Sequence, residues 1–229
     1  MLEIIKVSKG SNTKGDHIVS MTKLFDISPP ISKDTPVWPG DIPFKFESNW
    51  KLEGDCPVNV GYIKSSTHTG AHADAPWHYS NDGITIDEVD LERYIGPCLV
   101  VEAFFSHGVI KIEDIIDQMP QTLNRVLFKT YQKAPLNTWD EEFTAISPEV
   151  IDMLSVKGCF LVGIDTPSID LQNSKTLDAH KAVLKNDMSI LEGLVLDGVR
   201  AGFYELIAPP LRIVGGDASP VRAILREIE

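Results

Sequence analysis

The sequence predicts a single domain of the α/β class with a mixed α+β architecture. Short runs rich in β-branched residues alternate with short amphipathic segments, and neither an internal repeat nor a linker divides the chain. The 229 residues, 43% of them hydrophobic, are enough to bury one sizeable core. The alternation is too irregular for a (β/α)8 barrel, and neither a G-x-G-x-x-G motif nor a phosphate-binding loop occurs.

In the first half of the chain, strand-like runs are separated by turn-forming residues. Three prolines and a glycine between Asp34 and Pro43 predict an ordered loop with Trp38 in its middle, where an aromatic side chain often covers the core. The alternating run after Val58 predicts a strand that leads directly to His68. The predicted elements are strands at 24–27, 44–46, 58–67 and 98–102 and a short helix at 86–94.

In the second half, the clearest signals are those of a helix within residues 145–157. Ser147 is a capping residue, Pro148 suits the first helical position, and Gly158 ends the helix. The other predicted helices are 112–118 and 177–185. The predicted strands are 124–131, 159–164 and 204–213, with 221–228 as either a strand or a short helix.

Residues 1–20 differ in composition from the rest of the chain. A short apolar start is followed by a polar stretch of glycine, serine and asparagine, without the apolar core or cleavage site of a signal peptide. We expect these residues to form an N-terminal extension, disordered or non-native, with the domain proper spanning residues 21–229.

The charge of the chain argues against two classes of partner. A formal net charge of −12 predicts neither a nucleic-acid-binding surface nor attraction to an anionic membrane, and no apolar run is long enough to span a bilayer. The three cysteines are far apart and form no C-x-x-C motif, so we expect free thiols in a reducing cytoplasm.

A dense cluster of possible metal ligands lies between Thr67 and Tyr79. His68, His72, Asp74 and His78 fall within eleven residues, and imidazole and carboxylate suit zinc and its neighbours. Gly70 and Pro76 interrupt the segment and argue against a regular helix, so we expect the end of a strand to turn into a loop, with His72 and Asp74 on one side of extended chain. A single histidine of this kind is usually a surface or hydrogen-bonded residue, but four such groups so close together favour a metal site.

Two residues in the second half are further ligand candidates, with ordinary alternatives. Glu192 stands among apolar residues and is expected to be buried, where it could equally form an ion pair with a lysine or arginine. His180 lies on a predicted helix and could equally be a solvated histidine.

The segment His68-Thr-Gly-Ala-His72-Ala-Asp74-Ala-Pro-Trp-His78 resembles the H-x-G-x-H-x-D-x-P-x-H signature of the metal-dependent cyclase/formamidase family. The segments 35–41, 56–61, 163–168, 174–180 and 217–225 are also similar to that family. The resemblance implies a central mixed β-sheet with helices outside it, the swivelling β/β/α fold of cyclases. It also implies a homodimer.

The resemblance further implies a role for each candidate residue. His68 and His72 would hold one divalent metal ion and His180 a second, with Asp74 and Glu192 bridging both. Zinc is the expected metal, and manganese accepts the same ligands. His78 would transfer protons, its alternative being a hydrogen bond that only orients a ligand. Trp38 would stack on the aromatic ring of a small formamide substrate.

The implied reaction is the hydrolysis of N-formyl-L-kynurenine to L-kynurenine and formate, a step of tryptophan degradation. A hydroxide between the metals would attack the formyl carbon while His78 carries the proton to the leaving nitrogen. A serine nucleophile is not expected, since no G-x-S-x-G motif occurs, and H-E-x-x-H is also absent. The alternatives are a cyclic-amide-opening hydrolase with the same ligands, similar to isatin hydrolases, and a metal-binding module without catalysis.

Overall fold

The computed structural model describes residues 23–104 and 108–228, so the extension expected over residues 1–20 lies outside the described residues. The strands are Leu24–Asp26 (β1), Lys45–Trp50 (β2), Val60–Lys64 (β3), His72–Asp74 (β4), Ile95–Glu102 (β5), Val109–Ile110 (β6), Arg125–Lys129 (β7), Ala145–Ile146 (β8), Leu161–Ile164 (β9), Ser189–Glu192 (β10), Gly202–Ile207 (β11), Ala218–Pro220 (β12) and Ile224–Glu227 (β13). The α-helices are Ile112–Ile115 (α1), Pro148–Val156 (α2) and Asp178–Lys185 (α3). Short 3₁₀ helices are Pro76–His78, Ile86–Glu88, Leu91–Tyr94 and Ile116–Gln118.

Nine of these strands form one mixed sheet in the order β1-β13-β11-β5-β7-β9-β10-β4-β12. The four central strands β5, β7, β9 and β10 are parallel, and the flanking strands pair antiparallel. The strands β2 and β3 form a separate two-stranded sheet, and β6 pairs with β8. The predicted single domain with a mixed α+β architecture is confirmed.

The core lies on both faces of the large sheet because successive side chains of a strand point to opposite faces. On β5, Val100 belongs to one buried cluster, whereas Leu99 and Val101 belong to the other. The second cluster also contains Val150 of α2 and Val183 of α3, so these helices cover that face of the sheet. The polar side chains of β4 and β10 therefore have a helix above them.

Most elements follow the sequence-based prediction. Helix α2 begins at Pro148 because the Ser147 hydroxyl accepts a hydrogen bond from the Val150 amide, and Gly158 follows its end with φ +88°. The ambiguous C-terminal segment is a strand, β13, and the predicted loop at residues 34–43 contains neither helix nor strand.

Three predictions of local structure were wrong or incomplete. Residues 86–94 do not form one helix but two 3₁₀ turns, because Val89 and Asp90 between them have extended backbone. The strand predicted over residues 204–213 ends at Ile207, ahead of two prolines that cannot donate ladder hydrogen bonds. Strand β10 was not predicted, although it carries Glu192. In the described ranges, no helix has the length and apolarity that a membrane span requires.

Candidate metal centre

The clustered histidines lie on a turn and the short strand that follows it. Gly70 has φ +70°, a conformation that glycine adopts without strain, and it directs the chain from His68 into β4. His72 and Asp74, two residues apart on β4, point to the same face of the sheet. The predicted strand and the turn after it are present as β3 and the bend at Gly70, but the segment after the turn is a further strand, β4, where a loop was expected. The His68 ring returns to this strand, with its Nδ1 3.1 Å from Asp74 Oδ1.

Sheet register brings Glu192 to the same place from more than a hundred residues away. β10 pairs antiparallel with β4 so that Glu192 lies directly opposite His72. Residues directly opposite in a sheet share a face, and the His72 Nε2 atom lies 3.3 Å from Glu192 Oε2. Glu192 is 3% exposed, and its other oxygen accepts a hydrogen bond of 2.7 Å from the Ile169 amide.

His180 lies on helix α3, which packs over the face of the sheet that carries His72 and Glu192. His180 lies in the first turn of α3 and is 2% exposed, so it is not the solvated histidine that the sequence left open. Its Nε2 lies 3.5 Å from Asp74 Oδ2 and 3.6 Å from Glu192 Oε1. Each carboxylate thus turns one oxygen toward His72 and the other toward His180.

Several of these buried atoms have no hydrogen-bond partner. They are His72 Nε2, His180 Nε2 and both carboxylate oxygens of Asp74. Each buried polar group left unpaired costs about 1–3 kcal/mol, so their convergence requires another explanation. In the described part of the chain, two groups place ligand atoms within 4.8 Å of one another, His68–Asp74–His78 and His72–Asp74–Glu192. Imidazole nitrogens and carboxylate oxygens in this arrangement fit a divalent cation.

Each of the three buried or half-buried histidines is oriented through its other ring nitrogen. His72 Nδ1 donates to the Gly70 carbonyl at 2.9 Å, which leaves Nε2 free to bind a ligand. His180 Nδ1 lies 2.7 Å from Asp170 Oδ2, and His68 Nε2 lies 2.9 Å from Asp217 Oδ2. Such partners fix the tautomer and direction of a metal-binding imidazole.

The carboxylates make the metal-free centre basic. Burial opposes protonation of His180, but Asp170 and Asp74 together raise its pKa to about 10. Burial likewise opposes protonation of His68, but Asp74 and Asp217 raise its pKa to about 9. Burial would raise the pKa of Asp74, but the neighbouring His180 and His68 rings hold it well below its usual range. A cation that binds here must therefore displace protons from the histidines.

His78 lies at the rim of the centre. It ends the 3₁₀ helix Pro76–His78, and 35% of its side-chain surface is exposed. Its ring centroid is 4.2 Å from that of His68, and its Nδ1 is 3.8 Å from Asp217 Oδ2. Burial lowers the pKa of His78, so its neutral form predominates near pH 7. It is placed both to exchange protons with a group in the centre and to reach a cation held by His68 and Asp74.

The centre opens into a cavity of about 350 Å³. The cavity is walled by Trp38, which is 38% exposed, and by Trp139, whose ring centroid is 5.5 Å from that of Trp38. Trp38 also packs edge-on against buried Phe143, so it both lines the cavity and covers part of the core. A cavity of this size holds a ligand with one or two rings.

The structure thus brings together all the residues that the sequence singled out. His68, His72, Asp74, His180 and Glu192 converge, His78 lies beside them, and Trp38 lines the same cavity. The ion pair with lysine or arginine left open for Glu192 is not formed within the described residues, where its ion-pair partners are His72 and His180. Sequence reasoning missed Asp170 and Asp217. The sequence held a signal for Asp217, which begins a segment similar to the cyclase/formamidase family.

The Cyclase family model matches residues 25–171, more than half of the chain. The chain therefore belongs to the Cyclase family. The match ends before His180 and Glu192, so the assignment of those two residues to the centre depends on the sheet register and on α3.

Solved structures support this placement. A potential metal-dependent hydrolase with cyclase activity is 29% identical, with a TM-score of 0.78, and the alignment covers 91% of this chain and 99% of that protein. A predicted metal-dependent hydrolase from Bacillus stearothermophilus is also 29% identical, with a TM-score of 0.78 over 91% of this chain and 100% of that protein. An isatin hydrolase bound to the product analogue thioisatinate has a TM-score of 0.78 over 91% of this chain and 93% of that protein, but at 20% identity it shows the fold alone.

Proposed function

We propose that this protein is a metal-dependent hydrolase of the Cyclase family, and specifically a kynurenine formamidase (arylformamidase) that hydrolyses N-formyl-L-kynurenine to L-kynurenine and formate. The observation that carries the proposal is the convergence of unpartnered His72, Asp74 and His180 atoms at the base of a cavity walled by tryptophans. Amide hydrolysis needs an activated water and a polarised carbonyl, and an aryl substrate needs an aromatic wall.

The proposed ligand set follows the contacts of the two carboxylates. His68 and His72 would hold one divalent ion and His180 the other, and the carboxylates of Asp74 and Glu192, each within 3.6 Å of both His72 and His180, would serve both ions. When bound, such ions polarise a carbonyl oxygen and lower the pKa of a coordinated water toward about 7. Zinc suits these ligands best, and manganese is the second choice.

The chain's own residues position the substrate and move the proton. Trp38 and Trp139 pack against the aryl ring and direct the formamide toward the histidines. His78, neutral near pH 7 and half-open to the cavity, accepts a proton from the attacking water and donates it to the departing aryl nitrogen. This donation matters because an arylamide anion is a poor leaving group. Asp217 holds His68 in position, and Asp170 does the same for His180.

A second candidate is the opening of a cyclic aryl amide. The similarity in fold to an isatin hydrolase favours it, since both reactions attack the carbonyl of an amide whose nitrogen is attached to an aromatic ring. The ligands are compatible with either reaction, so the two candidates differ only in the substrate that the cavity accepts.

Turnover of both substrates with the same preparation tests the proposal. We expect hydrolysis of N-formyl-L-kynurenine that is lost on chelation, restored by zinc or manganese, and at least tenfold more efficient in kcat/KM than the hydrolysis of isatin. Efficient metal-dependent opening of isatin without formamide hydrolysis would establish the second candidate. Binding of metal without turnover of either substrate would indicate a metal-binding module.

We also propose that the protein acts in the cytoplasm as a homodimer. The separate sheet of β2 and β3 supports the dimer because it exposes several large apolar side chains to solvent, among them Phe46, Trp50 and Ile63. A two-stranded sheet is marginally stable alone, and a twofold dimer would place the same apolar patch of two copies against each other. The widely separated free cysteines fit a reducing compartment.

A further inference from the structure

Outside the metal centre, the charged side chains among the described lining residues of the cavity are all acidic. Besides the residues of the centre itself, the cavity is lined by the carboxylates of Asp41, Asp140 and Asp165, and neither lysine nor arginine is among its described lining residues. The unpartnered Nε2 atoms of His72 and His180 face the same cavity, so it is built to receive a ligand. The charge of these carboxylates therefore influences which ligands the cavity accepts.

One of these three carboxylates is occupied by hydrogen bonds within the protein. Asp165 is 5% exposed and accepts hydrogen bonds from the Thr130 amide and hydroxyl and from the Tyr131 amide. It fixes the chain that follows β7 and has little remaining capacity to bind a ligand. The other two carboxylates differ in this respect.

Asp140 is held in position but retains free acceptor capacity. One oxygen accepts a hydrogen bond of 2.7 Å from the Tyr131 hydroxyl, and the other accepts one of 3.0 Å from the Glu142 amide. A carboxylate can accept about four hydrogen bonds, so Asp140 has lone pairs to spare. It directly follows Trp139, which places it beside the aromatic wall.

Asp41 lines the same cavity and is bonded to the loop that carries Trp38. Its amide donates to the Trp38 carbonyl at 2.9 Å, and its Oδ1 accepts from the Ile42 amide at 2.6 Å. Within the described residues, Asp41 and Asp140 form no ion pair with a basic side chain. Two carboxylates, one adjacent in sequence to Trp139 and one bonded through its amide to Trp38, thus line the cavity together with the contacting tryptophan rings.

We propose that Asp140 and Asp41, with the faces of Trp38 and Trp139, form a subsite for a cationic amine on the substrate. This inference rests on the proposed hydrolysis of an aryl formamide whose side chain carries an ammonium group, and it adds the residues that would recognise that group. An ammonium donates three hydrogen bonds and is attracted to aromatic faces. An anionic side chain is repelled by the two carboxylates, and the carboxylate of a zwitterionic substrate is directed to solvent because the described lining residues near them include neither lysine nor arginine.

Three formamides that differ in charge test the subsite in the metal-loaded enzyme. The probes are N-formyl-L-kynurenine, neutral 2-formamidoacetophenone, which shares its ring and ketone, and anionic N-formylanthranilate. For the wild type we expect kcat/KM to fall in that order. In Asp140→Asn and in Asp41→Asn, the ratio of kcat/KM for N-formyl-L-kynurenine to that for 2-formamidoacetophenone falls about tenfold, mainly through KM. Asp82→Asn, which removes the same charge from an exposed residue outside the cavity, leaves the ratio unchanged.

The outcomes separate this inference from the proposed function. An unchanged ratio in both cavity variants, or N-formylanthranilate hydrolysed as efficiently as N-formyl-L-kynurenine, would overturn the amine subsite while leaving formamide hydrolysis in place. Failure of the metal-loaded wild type to hydrolyse any of the three formamides would overturn the proposed function and the subsite with it. If one variant does not fold, the other variant and the wild-type order of substrates still decide the question.

Discussion

At the scale of single residues, the sequence predicts the clustered candidate ligands of the centre but not the carboxylates that orient its histidines. His68, His72 and Asp74 lie within seven residues, so their spacing alone brings them together on a turn and a short strand. Asp217 reaches His68 from 149 positions away, and no local pattern predicts that contact. Asp170 is only ten positions from His180, but its role depends on how the chain before α3 folds back onto the helix.

Asp170 is expected to position His180 for metal binding. It accepts hydrogen bonds from the His180 ring and from the amides of Ala179 and His180, so it holds both the ring and the start of α3. Asp170→Asn should weaken metal affinity by about 10- to 100-fold, as loss of such a partner usually does. Asp178→Asn, in the same helical turn but without a bond to His180, should not change metal affinity in the same titration. Equal affinities for the two variants would contradict this role.

His78 is the residue for which proton transfer and metal binding make different predictions. For a proton carrier, His78→Asn should lower kcat by about 100-fold or more while the metal content per chain, measured by elemental analysis, stays that of the wild type. His68→Asn should lose both metal and activity. Loss of metal from the His78 variant would instead make it a ligand, which its place in a group with His68 and Asp74 permits.

At the scale of elements, the close contact between the turn before β4 and the end of β10 sets the direction of His72. Gly193 has φ +64°, and a Cβ added there would lie 2.3 Å from the Gly70 carbonyl oxygen. That oxygen accepts the hydrogen bond from His72 Nδ1. A side chain at position 193 must therefore displace the group that fixes the tautomer of a ligand.

We predict that Gly193→Ala both destabilises the protein and weakens metal binding. Gly198→Ala is the matched control, because Gly198 has a similar φ of +72° and nothing within 4 Å of an added Cβ. Gly198→Ala should lower the free energy of unfolding by about 1–2 kcal/mol through backbone strain alone and should retain wild-type metal affinity. Gly193→Ala should cost more and lower metal affinity at least tenfold. Wild-type affinity in the Gly193 variant would show that this contact does not position His72.

Asp165, which joins the ends of β7 and β9, is expected to make stability depend on pH. Burial raises its pKa to about 6. Because the folded state holds this proton more tightly than the unfolded state, the stabilisation is present at low pH and is lost as the pH rises through about 6, by at most about 3 kcal/mol. Asp165→Asn lacks this titration. In urea unfolding with a chelator present, the free energy of unfolding of this variant should be lower than that of the wild type. The difference between the two should shrink from about pH 4 to about pH 8. A difference that grows with pH would show that the three hydrogen-bond donors lower the pKa of Asp165 by more than burial raises it.

The elements that the sequence predicted correctly carry strong local signals, and those it missed depend on the rest of the molecule. Ser147, Pro148 and Gly158 define α2 because capping is a local effect. Strand β10 has only four residues, and its existence depends on pairing with β9 and β4, which is not local. The extended backbone at Val89 and Asp90 likewise interrupts a segment whose amphipathic pattern alone favours a helix.

At the scale of the whole molecule, the exposed sheet of β2 and β3 is the surface we expect to form a dimer. Phe46 and Ile63 lie directly opposite each other on one face of it and are 65% and 66% exposed. The wild type should have twice the monomer mass in size-exclusion chromatography with light scattering, and Ile63→Ser should raise the dissociation constant at least tenfold because apolar burial is lost. Val156→Ser, which removes an aliphatic side chain that is 90% exposed on α2, should leave the dimer intact. A wild type that stays monomeric at all concentrations would exclude the dimer.

The central claim is that β4, β10 and α3 fold together to enclose divalent cations, on which the proposed hydrolysis depends. The most direct test is anomalous X-ray diffraction from crystals of the protein loaded with zinc. We expect strong anomalous density among His72 Nε2, His180 Nε2 and the carboxylates of Asp74 and Glu192, where the centre opens into the cavity. Zinc found only at the protein surface, with these side chains bonded to one another instead, would contradict it.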